Sequence, residues 1–190
     1  MQTNSKISTK RIVVSGLMAA LTVAGSALRI TLPIDIAGTT SFHLGNIMCA
    51  LSGILLGPWL GGFSAGMGSA IYDMLNPLYI SEAWLTFLMK GLYGLITGLV
   101  VRGLKNRSFT YRSCVVGTVA GALAYAAAYL AKSYFYSGIL LKGLTPDAAL
   151  LAVIAKIPAT TFNAVIAVIC APMLAMAIAQ ALKKSNITLD

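Results

Sequence analysis

The chain predicts an all-α integral membrane protein of six transmembrane helices, with its N- and C-termini on the cytoplasmic side. Three observations carry that expectation. The 190 residues are 58% apolar and only 10% charged, too little charge for a soluble domain of this size. Nine of the fourteen Lys and Arg residues fall in three short clusters, Lys6/Lys10/Arg11, Arg102/Lys105/Arg107/Arg112 and Lys183/Lys184. Such clusters mark the cytoplasmic flanks of membrane spans. Long apolar tracts separate them and show no polar–apolar alternation, which excludes a membrane barrel. Backbone groups in lipid must be satisfied internally, so the spans are helices. The net charge of +9 sits beside these spans rather than on an amphipathic surface. It points to topology and anionic lipid headgroups, not to nucleic acid.

A crossing helix needs about 20 apolar residues. The first covers about 11–30. Its basic start and the Ala24-Gly25-Ser26-Ala27 tail resemble a signal peptide, but the rest of the chain is itself membrane-embedded, so it reads as an uncleaved helix. The polar, turn-rich stretch 31–43 is an outer loop. No formal charge occurs from Ile36 to Tyr72, about twice one span, and Leu56-Gly57-Pro58-Trp59 supplies the break. That places helix 2 at about 44–57 and helix 3 at about 60–75. Outer loop 76–82 follows Asn76-Pro77, helix 4 covers about 83–103, and the basic loop lies inside. Helix 5 covers about 112–136, followed by outer loop 137–147. The last tract, 148–182, is about 52 Å long as a helix, too long for one upright span. Pro158 is expected to kink it, leaving a true span of about 156–181. The chain reads as a single membrane domain over 1–190.

Small residues recur at three- and four-residue spacing on several faces. Gly16, Ala20 and Ala24 line helix 1. Gly62, Gly66, Ser69 and Asp73 share a face of helix 3, beside Gly61, Ala65, Gly68 and Tyr72. Gly91, Gly94 and Gly98 belong to helix 4. Such faces let helices approach closely. Packing within the bundle explains them generally, while a docking role for a partner subunit fits helix 1 best.

Five basic residues, Arg29, Lys90, Lys132, Lys142 and Lys156, lie away from the cytoplasmic clusters. Charge at membrane depth is costly, and four different helices bring it to a similar level, as an outward-opening pocket requires. Tyr125, Tyr129, Lys132 and Tyr136 follow i, i+4, i+7, i+11 along helix 5, and Lys156, Thr160 and Asn163 share a face of helix 6. Lys156 and Asn163 read as ligand contacts. Asp73 and Lys90 read as a structural ion pair more readily than as ligand contacts. Lys132 and Arg29 read as residues reaching toward headgroups. Trp84, Tyr79 and Tyr136 divide evenly between an interfacial belt and a ligand wall.

Cys49, Cys114 and Cys170 are unclustered within apolar runs and read as small hydrophobes. His43 has no second ligand at metal spacing. No phosphate-binding loop, no Ser/His/Asp or Cys/His arrangement and no His-Glu-x-x-His stretch is present. No catalytic residue, metal or cofactor is therefore expected, and the chain is not read as an enzyme. The two halves do not resemble each other, so the repeat architecture of many secondary transporters is missing. A pocket without a motor suggests a capture subunit that borrows one. A stand-alone small-solute facilitator or channel is the alternative.

Four stretches carry a resemblance: Phe42-His-Leu-Gly-Asn46, Leu55-Leu-Gly-Pro-Trp-Leu-Gly-Gly62, Gly66-Met-Gly-Ser-Ala-Ile-Tyr-Asp73 and Trp84-Leu-Thr-Phe-Leu-Met-Lys-Gly91. They resemble the S components, the substrate-binding subunits, of energy-coupling factor (ECF) vitamin transporters, in the riboflavin-transporter-like branch. Where that family often has Gly-Asp, this chain has Gly45-Asn46. The resemblance implies a bacterial cytoplasmic-membrane protein that binds a water-soluble vitamin or precursor on its outer side, with 31–44 as a lid. It implies docking through Ala20 and Ala24, with Gly16, onto a transmembrane T subunit carried by two cytoplasmic ATPases. It also implies release inward by toppling of the whole subunit. The candidate ligand contacts are then Lys156, Thr160, Asn163, Tyr125, Tyr129 and Lys132, with Trp84 and Lys90 on helix 4, Tyr72 and Asp73 on helix 3, and His43 and Asn46 before it. Pantothenate, a pyridoxine- or hydroxymethylpyrimidine-like compound and riboflavin all suit such a set.

Overall fold

The computed structural model of the chain describes residues 8–34, 38–103 and 110–186. Lys6, Lys105 and Arg107 of the basic clusters and the tip of the first outer loop lie outside the described residues. Among the described residues there are six α-helices: α1 (Thr9–Ala27), α2 (Gly45–Leu56), α3 (Pro58–Met74), α4 (Ala83–Gly103), α5 (Tyr111–Lys132) and α6 (Pro146–Lys184). The segments Thr9–Ala27, Ile80–Gly103, Tyr111–Leu141 and Pro146–Lys184 are long and apolar enough to cross a membrane. Large apolar side chains such as Leu17, Leu123, Ile154 and Ile169 face outward, as lipid contact requires and water would penalise.

The shorter helices α2 and α3 meet at a sharp reversal. Gly57 has φ +80°, and a Cβ there would lie 2.1 Å from Cζ of Arg102, so only glycine fits. Just before it, the Leu56 carbonyl accepts hydrogen bonds from Arg11 (2.8 Å) and Arg102 (3.1 Å). Two cations thus sit where the α2 dipole is negative, and members of two separate basic clusters meet at one end of the bundle.

Helix α3 is the central element, and its glycines make that possible. A Cβ on Gly61 would lie 2.4 Å from the Ser52 carbonyl of α2. On Gly62 it would lie 2.9 Å from the Gly91 carbonyl of α4, and on Gly68 2.3 Å from the Ala19 carbonyl of α1. Three neighbours therefore touch α3 backbone to backbone, the arrangement expected of small residues in lipid-embedded bundles.

Two elements differ from the sequence expectation. The first helix ends at Ala27 rather than near residue 30, and an antiparallel hairpin replaces the irregular loop: β1 (Arg29–Ile34) pairs with β2 (Gly38–His43), with Arg29 opposite His43. Ile30 and Thr31 are β-branched and Pro33 cannot donate within a helix, so the chain turns extended there. The Leu44 amide donates to the Gly25 carbonyl (3.1 Å) and pins the hairpin's exit to the end of α1. Helical structure after α5 continues to Leu141 as a wide π-helical coil, Ser133–Leu141, where a loop from 137 was expected. Helix α6 covers 39 residues with Pro158 and Pro172 inside it, close to the expected tract 148–182. The Thr145 hydroxyl caps its start by accepting from the Ala148 amide.

Candidate functional site

A cavity of about 350 Å³ opens among the hairpin, α3–α6 and the π-helical coil, at the smaller end of ordinary ligand sites. It lies at the end of the bundle opposite the Leu56–Gly57 reversal. Its floor is set by Asn46 in the first turn of α2 and Lys90 of α4, which are 2% and 5% exposed. The Lys90 ammonium donates to the Asn46 side-chain carbonyl and stands 4.2 Å over the Tyr125 ring. It does not reach Asp73, so the expected Asp73–Lys90 ion pair is not formed. The amide oxygen is nearer, and Thr86 is the side chain beside the Asp73 carboxylate.

The α5 wall is a ladder of rings. Tyr93 stacks on Tyr125 at 5.7 Å and Tyr125 on Tyr129 at 5.9 Å. Lys156 of α6, 6% exposed, lies 5.7 Å from the Tyr129 ring centre and donates to the Ser133 hydroxyl at 3.4 Å. Tyr125 is thus flanked by two rings and an ammonium group, and it seats a cation rather than offering an open stacking shelf. The wide π coil matters here, because it buries both Ser133, which accepts from Lys156, and Ser137, which lines the cavity. Such coils recur at functional sites.

At the mouth, Arg29 lies over two rings, 4.2 Å from Tyr72 and 4.9 Å from Tyr79, and donates to the Ser26 carbonyl. It lines the cavity and does not extend toward headgroups. Tyr72 itself lies outside the lining and acts through Arg29. Lys132 also turns inward, paired with Glu82, whose other oxygen accepts from Ser137 at 2.8 Å.

Asn163 lines the cavity but spends both ends of its amide on the hairpin. Its oxygen accepts the His43 amide proton at 3.0 Å and its nitrogen donates to the Ser41 carbonyl at 2.8 Å. The Phe42–Phe162 edge contact at 4.8 Å adds to this seam. The Thr160 hydroxyl donates back to the Lys156 carbonyl, leaving only its lone pairs for the cavity. His43 Nδ1 is buried with no hydrogen-bond partner among the described residues. Burial, then the charges of Lys90 and Arg29, hold its pKa well below the ordinary histidine value, so the ring is neutral.

Of the twelve residues expected to meet a ligand, ten line this cavity, and Tyr72 and Trp84 do not. Trp84 is 55% exposed and packs edge-on against Tyr136. Sequence reasoning missed Glu82, Ser133 and Ser137. Glu82 was within reach, as the only acid of the outer loop 76–82. The two serines depend on a π coil that no residue pattern announces. Among the described residues no group of His, Cys, Asp and Glu could hold a metal ion.

Apolar helices around a polar, cation-lined chamber define a membrane-embedded protein built to hold a solute. The comparisons with known proteins narrow that class. Residues 6–180 match the family model of the ECF-type riboflavin transporter, S component, and the chain belongs to that family, which is one of transport components rather than enzymes. It is also 34% identical to a protein of Pyrococcus woesei, described as an uncharacterized protein in gap 3' region, over 63% of this chain and 74% of the relative. A UPF0397 protein of Streptococcus gordonii is 31% identical over 55% of this chain. The match spans about half (53%) of that streptococcal relative.

Proposed function

We propose that the chain is the substrate-capture subunit of an ECF-type importer in the bacterial cytoplasmic membrane. On this reading all six helices cross the bilayer, with both termini in the cytoplasm. The cavity faces outward and takes a small water-soluble vitamin or precursor of the pantothenate, pyridoxine/hydroxymethylpyrimidine or riboflavin kind. The observation that carries the reading is Lys90 and Lys156, two buried ammonium groups from different helices in one chamber. A charge held inside a lipid-embedded bundle is retained for a ligand or a path. The meeting of Arg11 and Arg102 at the opposite end supports the orientation, since basic flanks stay inside.

The hairpin serves as the lid, fastened by Asn163. The face Gly16/Ala20/Ala24 serves as the docking surface for the T subunit, and the ATPases supply the energy that this chain has no means to supply. Uptake of the vitamin by cells expressing the chain, with and without a T subunit and its two ATPases, tests this. Accumulation only with the complete set is expected. Equal accumulation by the chain alone would instead indicate a facilitator.

A further inference from the structure

The charge balance of the cavity narrows the solute, on the reading that the chain captures one. Among the described residues five cations line the chamber, Arg29, Lys90, Lys132, Lys142 and Lys156, against two carboxylates, Asp73 and Glu82. Glu82 is committed to Lys132. None of Arg29, Lys90 and Lys156 has a described carboxylate within ion-pairing distance. Asp35 lies outside the described residues, and counting it would change the size of the positive excess but not its sign. What surrounds the buried ammonium groups is dipolar: the Asn46 amide, the Ser133 hydroxyl and the faces of Tyr125 and Tyr129. Dipoles and rings orient a cation and lower its cost, but they leave its charge uncancelled.

Two further features have the same sign. Helix α2 starts at Gly45, so the positive end of its dipole adjoins Asn46 on the cavity floor. Burial is the main reason that His43 beside it is neutral, and the positive charges of Lys90 and Arg29 act in the same direction.

We propose that the cavity takes a small organic anion, a carboxylate or phosphate ester, whose acidic group is held by the ammonium groups of Lys90 and Lys156. A neutral solute of equal size would leave both buried cations uncompensated. An anion would form charge-assisted hydrogen bonds with them, the stronger class of hydrogen bond. Lys142 lies at the exposed rim, where it would draw an anion in but add little to its retention.

Matched solutes test this on the purified full chain in detergent, by calorimetric titration. The pairs are pantothenate and panthenol, riboflavin 5'-phosphate and riboflavin, and pyridoxine 5'-phosphate and pyridoxine. Within each pair the first compound carries an acidic group that the second lacks. At least one acidic member is expected to bind roughly tenfold or more tightly than its neutral twin. Lys156→Met should close that gap, and Lys156→Arg should restore it. The comparison on the unaltered protein needs no variant to fold. A neutral member binding as well as its acidic twin, or binding alone, would overturn the anion assignment while leaving solute capture intact. Should none of the six bind, the charge of the compound that co-purifies with the protein decides: an acid supports the proposal and a neutral compound overturns it. No binding and no co-purifying compound would count against both readings.

Discussion

Lys132 and Lys156 are both lysines on cavity-facing helices, and their surroundings give them different work. Lys132 is matched by Glu82, with side chains 10% and 21% exposed. Removing the lysine leaves a carboxylate largely shielded from water and unpaired. Lys132→Ala should therefore destabilise the fold by about 2 kcal/mol, on the low side for a buried pair because Glu82 keeps some solvent. It should have little effect on ligand affinity, and Lys132→Met combined with Glu82→Gln should recover most of the stability. Lys156 has a long hydrogen bond to Ser133 and the Tyr129 ring 5.7 Å away, but no described carboxylate within ion-pairing distance, so Lys156→Ala should leave the melting temperature nearly unchanged and weaken ligand binding roughly tenfold or more. Melting curves and titrations of the same preparations check both. Loss of stability in the Lys156 variant with normal binding would contradict the assignment. The facing of Lys156 was legible from its spacing to Thr160 and Asn163. Its freedom from a described carboxylate partner was not, because that depends on Lys132 having taken the only nearby glutamate, 50 residues away in the chain.

The hairpin is the element that sequence reasoning read least well. Its polar, turn-rich composition marked it as an outer loop, and nothing in it alternates strongly enough to announce strands. Asn163 was legible as an inward residue but not as a fastening, because its partners are backbone groups of β2. An asparagine amide presents one donor and one acceptor side by side, so it continues the edge of β2 much as a neighbouring strand would. Asn163→Ala should free that edge. Hydrogen exchange of the His43 amide should rise at least roughly tenfold, and bound solute should dissociate faster with a smaller change in its association rate. Unchanged exchange at His43 would show that the seam is held by other contacts. The unbroken course of α6 has a similar lesson. A proline removes one hydrogen bond and crowds the preceding turn, but lipid-embedded helices tolerate this where neighbours compensate, and α6 stays helical on both sides of Pro158.

The whole bundle separates glycines used internally from small residues left open. Gly68 meets the Ala19 carbonyl, whereas a Cβ at Gly16 would meet nothing within 4 Å. Ala20 and Ala24 are exposed on the same face. Four-residue spacing was legible for both sets, but spacing cannot say whether the partner belongs to the same chain. Gly68→Ala should destabilise by about 1–3 kcal/mol through overpacking, while Gly16→Ala should be silent in the isolated protein. Ala20→Leu and Ala24→Leu should spare solute binding and abolish uptake driven by the T subunit and ATPases. Normal uptake in those variants would remove α1 as the docking face. The fold class and the opposed ends of the molecule followed from basic clusters and apolar lengths, which are one-dimensional signals. The cavity's charge balance required three dimensions, because its seven charged lining residues come from β1, α3, the turn before α4, α4, α5, the loop after the π coil and α6. Native mass spectrometry of the protein purified from cells tests the central claim most directly. One small solute bound per chain, lost when Lys90 and Lys156 are both replaced by methionine in a protein that still melts cooperatively, is the predicted result. A solute that stays bound to that double variant at full occupancy would contradict the account.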